Sequence, residues 1–173
     1  MEIAISIDVA RDNARRPEPD HLHFAAMEYY FLILNRSFEI IITAEGIYGS
    51  LLGGMISAHQ PSVARASKTG NGYDLFSEQQ IDRARWFSID DADFLTSHPQ
   101  NFHYQKSTIA SLSYDASKKW GMGPVVHSGK LYINTLDGKK RQLIPLGTLA
   151  MPMVLSRLQQ LGYAVCTHNG FVA

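Results

Sequence analysis

The chain has 173 residues, 16 Lys/Arg against 16 Asp/Glu, and a hydrophobic content of 45%. That is the composition of one globular domain able to bury its own core. It holds no run of about 18 apolar residues free of charge, so no membrane-spanning helix is expected. The N-terminus shows no basic stretch followed by an apolar one, so no secretory leader is expected. Cys166 is the only cysteine, which excludes an internal disulfide and a multi-cysteine metal site. Cytoplasmic residence is the simplest inference, with export by another route left open.

The charges are unevenly placed. Residues 1–105 carry eight Lys/Arg and fourteen Asp/Glu, a net −6, while residues 106–173 carry eight Lys/Arg and only Asp115 and Asp137, a net +6. Such an asymmetry either draws the two halves together or leaves a basic surface for an anionic partner.

In chain order, Ile3, Ile5, Ile7 and Val9 alternate with polar or small residues, a strand pattern. Residues 11–20, with Pro17 and Pro19, read as a loop. The next stretch predicts a helix over residues 21–34 capped by Asp20, although 29–34 would serve equally well as a buried strand. Residues 38–43 are a β-branched strand, 44–46 a turn, and 47–56 a second strand. Gly49, Gly53 and Gly54 in that strand predict bulges or strong curvature. Residues 59–72 are polar and punctuated by Pro61, Gly70 and Gly72, and predict a long loop. Ser77 and Gln80 form a capping box that starts a helix over residues 77–85. A short helical turn is expected within 91–97, then strands at 102–106 and 108–114 and a Gly-rich loop at 118–128.

The last third carries the clearest local signals. Two β-rich arms, residues 131–136 and 139–146, flank Asp137-Gly138, which predicts a two-residue type I′ hairpin pairing Leu136 with Lys139. Neither face of the second arm is purely apolar, so a half-exposed hairpin is expected. Met151, Val154, Leu155, Leu158 and Leu161 then form one apolar helical face, with Pro152 in the first turn and Gly162 just past the end. Residues 163–167 predict an edge strand, followed by a frayed tail.

Several pieces together resemble the pleckstrin-homology-like (PH-like) modules of bacterial proteins: residues 38–43 with Gly46-Ile47-Tyr48-Gly49 as opening strands, the segment 94–109, the strand ending in Asp137-Gly138-Lys139, and the single closing helix. The resemblance covers residues 37–162, with an insertion at about 57–93, inside one domain spanning 1–173. It implies an α+β fold: a small curved antiparallel β-barrel or sandwich with a C-terminal capping helix. Folds of this kind bind lipids, peptides or protein partners, and the fold alone does not choose among them.

The candidate ligand-binding residues are Lys118, Lys119, Trp120, Lys130, Lys139, Lys140 and Arg141. If the loop before Gly121 lies beside the Asp137-Gly138 turn, these cations converge on a phosphate. The competing reading is an exposed hairpin edge whose lysines prevent edge-to-edge pairing. In the loop, Gly121 and Gly123 amides could cradle an anion while Trp120 stacks on it, or Trp120 simply covers the end of the barrel. The seven histidines show no metal-ligand spacing. Cys166 and His168 do not make a catalytic pair by proximity alone. Asp90, Asp91 and Asp93 read as a solvated helix start.

The function expected from the sequence is a non-enzymatic binding module that meets an anionic ligand or protein partner through the basic hairpin. No catalytic residue, metal or cofactor is assigned, and no nucleic-acid partner is expected. Two alternatives stay open. One is a small enzyme with a scattered His/Asp site; the other is a self-associating protein that pairs residues 39–43 or 163–167 across a symmetry axis.

Overall fold

The computed structural model describes residues 21–85, 93–167 and 170–171. The expected strand at 3–9, the loop at 11–20, Asp90, Asp91 and the end of the tail lie outside them.

The described chain opens on a long hairpin. Strand β1 (Leu22–Phe31) pairs antiparallel with β2 (Leu34–Ile42), from Leu22↔Ile42 to Phe31↔Leu34. The helix expected over 21–34 is therefore a strand and a turn. The physical reason lies in burial: Phe24 and Ala26 enter one apolar cluster, Ala25 and Met27 a second cluster on the opposite face. A strand buried on both faces has no alternation for a period-two reading to detect.

Strand β3 (Gly46–Gly53) returns through a turn in which the Thr43 hydroxyl accepts hydrogen bonds from the backbone N–H groups of Glu45 (3.0 Å) and Gly46 (3.2 Å). The β2–β3 register slips between Ser37↔Gly53 and Phe38↔Leu51, so the expected irregularity is present. Gly49 has a separate role. A Cβ there would lie 1.9 Å from the Phe102 ring, so glycine lets that ring pack directly on the strand.

Between β3 and the next strand come α1 (Pro61–Thr69), a 3-10 turn (Gly72–Leu75), α2 (Glu78–Arg85) and the single turn α3 (Phe94–Ser97). The loop expected at 59–72 is largely α1. Pro61 and Gly70, read as breakers, are its start and stop: Pro61 sits in the first turn and the Gly70 N–H donates to the Ala66 carbonyl at 2.8 Å. The capping box at α2 forms, with Ser77 N–H donating to Gln80 Oε1 (2.9 Å) and Gln80 N–H to Ser77 Oγ (3.3 Å).

Strands β4 (Phe102–Gln105), β5 (Ile109–Asp115), β6 (Lys130–Thr135) and β7 (Lys140–Pro145) follow. Helix α4 (Met151–Gln160) and the short β8 (Val165–Thr167) and β9 (Gly170–Phe171) complete the described chain. All join one sheet in the order β4-β3-β2-β1-β7-β6-β5-β8-β9. The pairing is antiparallel except for β5 with β8. The fold is thus α+β, a mostly antiparallel sheet with a C-terminal helix, and among the described residues the sheet does not close on itself. Two pairings proposed for self-association are already taken: β2 lies between β1 and β3, and β8 between β5 and β9.

The β6–β7 turn differs from the type I′ expectation. Thr135 N–H donates to the Lys139 carbonyl (2.9 Å) and Gly138 N–H to the Thr135 carbonyl (3.0 Å), which leaves a three-residue loop, 136–138. Gly138 has φ 82°, whereas Asp137 is not at positive φ. This is a type I turn followed by a left-handed glycine. Gly138→Ala, with open space around its added methyl, is expected to cost about 1–2 kcal/mol through left-handed strain alone, read from urea unfolding.

The sheet separates two cores. Phe38, Ile40, Ile42, Leu112, Leu131, Ile133 and Leu143 pack with Leu155 and Leu158 of α4 on one face. Met27, Leu52, Ile144 and Leu146 pack with Val63 and Ala66 of α1 on the other. The β6–β7 hairpin is therefore not half-exposed along its length: β7 is open near Lys140 and buried on both faces from Leu143 onward. Among the described residues no helix is long and apolar enough to cross a membrane.

Candidate functional site

Strand alternation in β7 sends Lys140 and Arg141 to opposite faces, and the basic hairpin does not present its cations as one cluster. Arg141 turns inward. Its guanidinium stands 3.5 Å from the Phe102 ring centroid, and Nη2 donates to Glu28 Oε2 at 2.8 Å. The same Glu28 oxygen accepts from Arg36 Nε at 3.0 Å. Lys130 Nζ pairs with Asp115 Oδ2 (2.7 Å) and donates to Ser117 Oγ (2.8 Å). That ammonium, with Ser117, holds the Asp115 carboxyl well below the usual carboxylate range. Lys139 Nζ pairs with Asp137 Oδ2 at 2.7 Å within the turn. This contact and the Thr135 hydroxyl lower the Asp137 carboxyl to about 2. Lys140 lies over the Tyr132 ring, 4.1 Å from its centroid. Of the expected set, Lys130, Lys139 and Arg141 are thus engaged in ion pairs, Lys139 in an exposed one and Arg141 in one turned into the fold.

Lys118, Lys119 and Trp120 are differently placed. They begin the Gly-rich loop between β5 and β6. Tyr29 of β1 anchors that loop: its hydroxyl donates to Met122 Sδ (3.3 Å), and Lys119 Nζ lies 5.8 Å from its ring centroid. Trp120 stands between these two contacts and is 93% exposed. A groove of about 350 Å³ runs between the loop and α1, lined by Lys118, Lys119, Gly121, Gly123, His127 and Ser67, without Trp120. A second depression of about 510 Å³ adjoins it through Ser67 and Pro124, and is lined by His59, Gln60, Pro61 and Lys68 at the start and outer side of α1. The two walls carry three lysines and two histidines and no carboxylate. Burial pushes His127 below its ordinary pKa; a hydrogen bond from the Gly129 N–H opposes this, and the nearby Lys118 and Lys130 lower it further. The start of α1 adds the positive end of a helix dipole.

Sequence reasoning missed a buried polar cluster on the same side of the sheet as α1. Glu39 in β2 is 1% exposed. Its Oε1 accepts from the Tyr73 hydroxyl (3.0 Å) and Arg85 Nε (3.1 Å), and lies 3.2 Å from His23 Nδ1. The Arg85 guanidinium covers the Tyr73 ring at 4.6 Å. Burial, then the Glu39 charge, pushes the Tyr73 hydroxyl far above its ordinary pKa, so it stays a proton donor. The cluster ties the 3-10 turn and α2 to β1 and β2. Its one visible sequence signal was a lone acid between Phe38 and Ile40 in an otherwise apolar strand. Cys166 lies in β8, opposite Ser113 and Phe171 in the register of its neighbours. Among the described residues no group of three or more His, Cys, Asp or Glu is arranged to hold a metal ion.

Comparison with protein-family models gives no match, and comparison with curated proteins gives none either.

Proposed function

We propose that the protein is a non-enzymatic binding module that takes an anionic, phosphate-bearing ligand in the groove between α1 and the loop at 118–127. The observation that carries this reading is the one-signed lining of the groove and the depression adjoining it: Lys118 and Lys119 in the first, Lys68 in the second, and no carboxylate in either. A concave surface of one sign concentrates its field and attracts counter-ions. The backbone N–H groups of Gly121 and Gly123 and the exposed Trp120 add hydrogen bonding and stacking. Of the hairpin and loop cations expected from the sequence, this reading keeps those of the loop and leaves out those of the hairpin.

A PH-like core remains part of this proposal. In its favour are the two antiparallel groups β1–β4 and β5–β7, joined by the β1–β7 pairing, and the helix α4 that follows β7 directly. Its first strand is then Leu22–Phe31, ahead of the expected start at residue 37, and α1 to α3 form the insertion between β3 and β4. The enzyme alternative draws less support, because His23, Tyr73 and Arg85 all direct their polar atoms at one oxygen of Glu39.

Titration calorimetry with inorganic tripolyphosphate tests the reading. The wild-type chain should bind, with affinity falling steeply as salt is raised. Lys118→Glu/Lys119→Glu should weaken binding by at least about tenfold, since two attractive charges become repulsive. Equal affinity in the two proteins would overturn the groove as the site.

A further inference from the structure

The β1–β2 hairpin ends in a tip that the fold leaves bare. Tyr30, Phe31, Leu32, Ile33 and Leu34 are consecutive, apolar and exposed, and the two turn residues are the most open, Leu32 at 83% and Ile33 at 76%. Single exposed apolar residues are ordinary on a protein surface, but five in a row at a protruding end are not. Met55 adds a sixth apolar side chain nearby. Its neighbour Ile56 is tied through both backbone polar groups to Asn35, just past the tip.

The charges named around the tip sum to a positive value. Lys119 and Met122 both contact Tyr29, two residues before Phe31, and so bring the loop that carries the exposed Trp120 beside this end of β1. The antiparallel β1–β7 register, Ala26↔Pro145 and Met27↔Ile144, puts the Lys140 end of β7 at the tip end of β1. Glu28, the carboxylate nearest the tip along β1, is neutralised by Arg36 and Arg141.

From this placement we infer that the tip is a membrane anchor: residues 30–34 enter the interfacial layer of an anionic bilayer while Lys118, Lys119 and Lys140 meet the lipid phosphates and Trp120 lies at headgroup level. The inference rests on the anion-binding reading of the groove and names the source of the phosphate. Apolar side chains backed by lysines are what peripheral membrane segments use, the first for burial and the second for the negative surface. Tyrosine and tryptophan favour the same boundary, where one end of the ring is apolar and the other wet. The shape points away from a protein partner. An interface of ordinary size draws about 20–30 residues from each side, whereas this is a five-residue convex end that a fluid acyl layer can surround.

The test is co-sedimentation with vesicles of phosphatidylcholine alone and of phosphatidylcholine containing about one-third phosphatidylserine. Three proteins are compared: the wild-type chain, Phe31→Ser/Leu32→Ser/Ile33→Ser, and Lys118→Glu/Lys119→Glu. The wild-type chain should partition onto the anionic vesicles and much less onto the neutral ones. The tip variant should lose at least about tenfold in partitioning while keeping wild-type affinity for tripolyphosphate. The lysine variant should lose both. Because the tip side chains are exposed, the tip variant should melt with the wild-type chain; Leu32→Asp alone serves as a second probe.

Undiminished vesicle binding by either tip variant would overturn the anchor. So would a wild-type chain that binds tripolyphosphate but neither kind of vesicle, and in that case the groove reading would stand. A wild-type dimer that the tip variant splits, without vesicle binding, would also overturn it and assign the tip to a second copy of the chain.

Discussion

Replacing Glu39 by alanine is expected to lower the unfolding free energy by about 3–5 kcal/mol, the range found when one partner is removed from a buried ion pair. Glu39 is 1% exposed and its Oε1 is the shared acceptor for Tyr73, Arg85 and His23. Alanine leaves a half-buried Arg85 positive and a half-buried Tyr73 hydroxyl without its acceptor, and this partial burial makes both losses costly. The effect should be largest on the insertion, because Tyr73 and Arg85 belong to the 3-10 turn and α2, which the cluster ties to β1 and β2. Urea unfolding gives the magnitude. Limited proteolysis gives the place: cleavage within residues 54–85 should accelerate before the sheet is attacked. Glu39→Gln keeps an acceptor oxygen and removes the charge, so it should fall between the wild-type and alanine proteins. A loss below about 1 kcal/mol for Glu39→Ala would mean that the cluster is a solvated feature and not the tie described.

Arg141→Glu is the second change with a large expected effect, and it separates the fold from the sequence expectation. If Arg141 met a ligand, charge reversal would weaken binding and leave stability alone. In the structure its guanidinium lies against Phe102, 3.5 Å from the ring centroid, and bonds to Glu28 at 2.8 Å. A glutamate there would face the Glu28 carboxylate and the aromatic ring with no compensating cation except Arg36. A loss of about 3–4 kcal/mol is expected, comparable to breaking a largely buried pair. Arg141→Met, which keeps the stem and removes the charge, should cost less, because similar-volume apolar replacements of buried ions are often tolerated. Denaturation of the three proteins checks the order. A fully stable Arg141→Glu that fails to bind tripolyphosphate would return Arg141 to the site.

What the sequence made legible was local. Helix α4 shows in Met151, Val154, Leu155 and Leu158 at i, i+3, i+4 and i+7, the α2 cap in Ser77 and Gln80, and the last hairpin in Asp137-Gly138. In each case the signal and its partner lie within a few residues of one another. The failures were of another kind. β1 was misread because both of its faces are buried, Phe24 and Ala26 on one side and Ala25 and Met27 on the other, so neither the helical nor the strand period stands out. At α1, Pro61 and Gly70 are identical as letters whether they break a helix or bound it, and the arbiter is the packing of Val63 and Ala66 on the sheet.

The candidate site was legible only in part. Lys118, Lys119 and Trp120 were named from the loop's composition; the two lysines line the groove, and Trp120 is exposed next to them in the chain. Lys130, Lys139 and Arg141 were named with them because charge can be counted in a sequence, whereas an ion pair between residues 28 and 141 cannot. The Glu39 cluster joins four segments between residues 23 and 85, and the bare tip at 30–34 was hidden inside the expected helix.

The central claim is that the anion site belongs to the loop and not to the hairpin. It is tested most directly by one series of tripolyphosphate titrations on the wild-type chain, Lys118→Glu/Lys119→Glu and Lys139→Glu, the last being an exposed lysine already paired with Asp137. A loss of at least about tenfold in the loop variant, with Lys139→Glu within about twofold of wild type, is the predicted result. The opposite order, with the loop variant binding normally and Lys139→Glu failing, would contradict it and place the ligand on the hairpin.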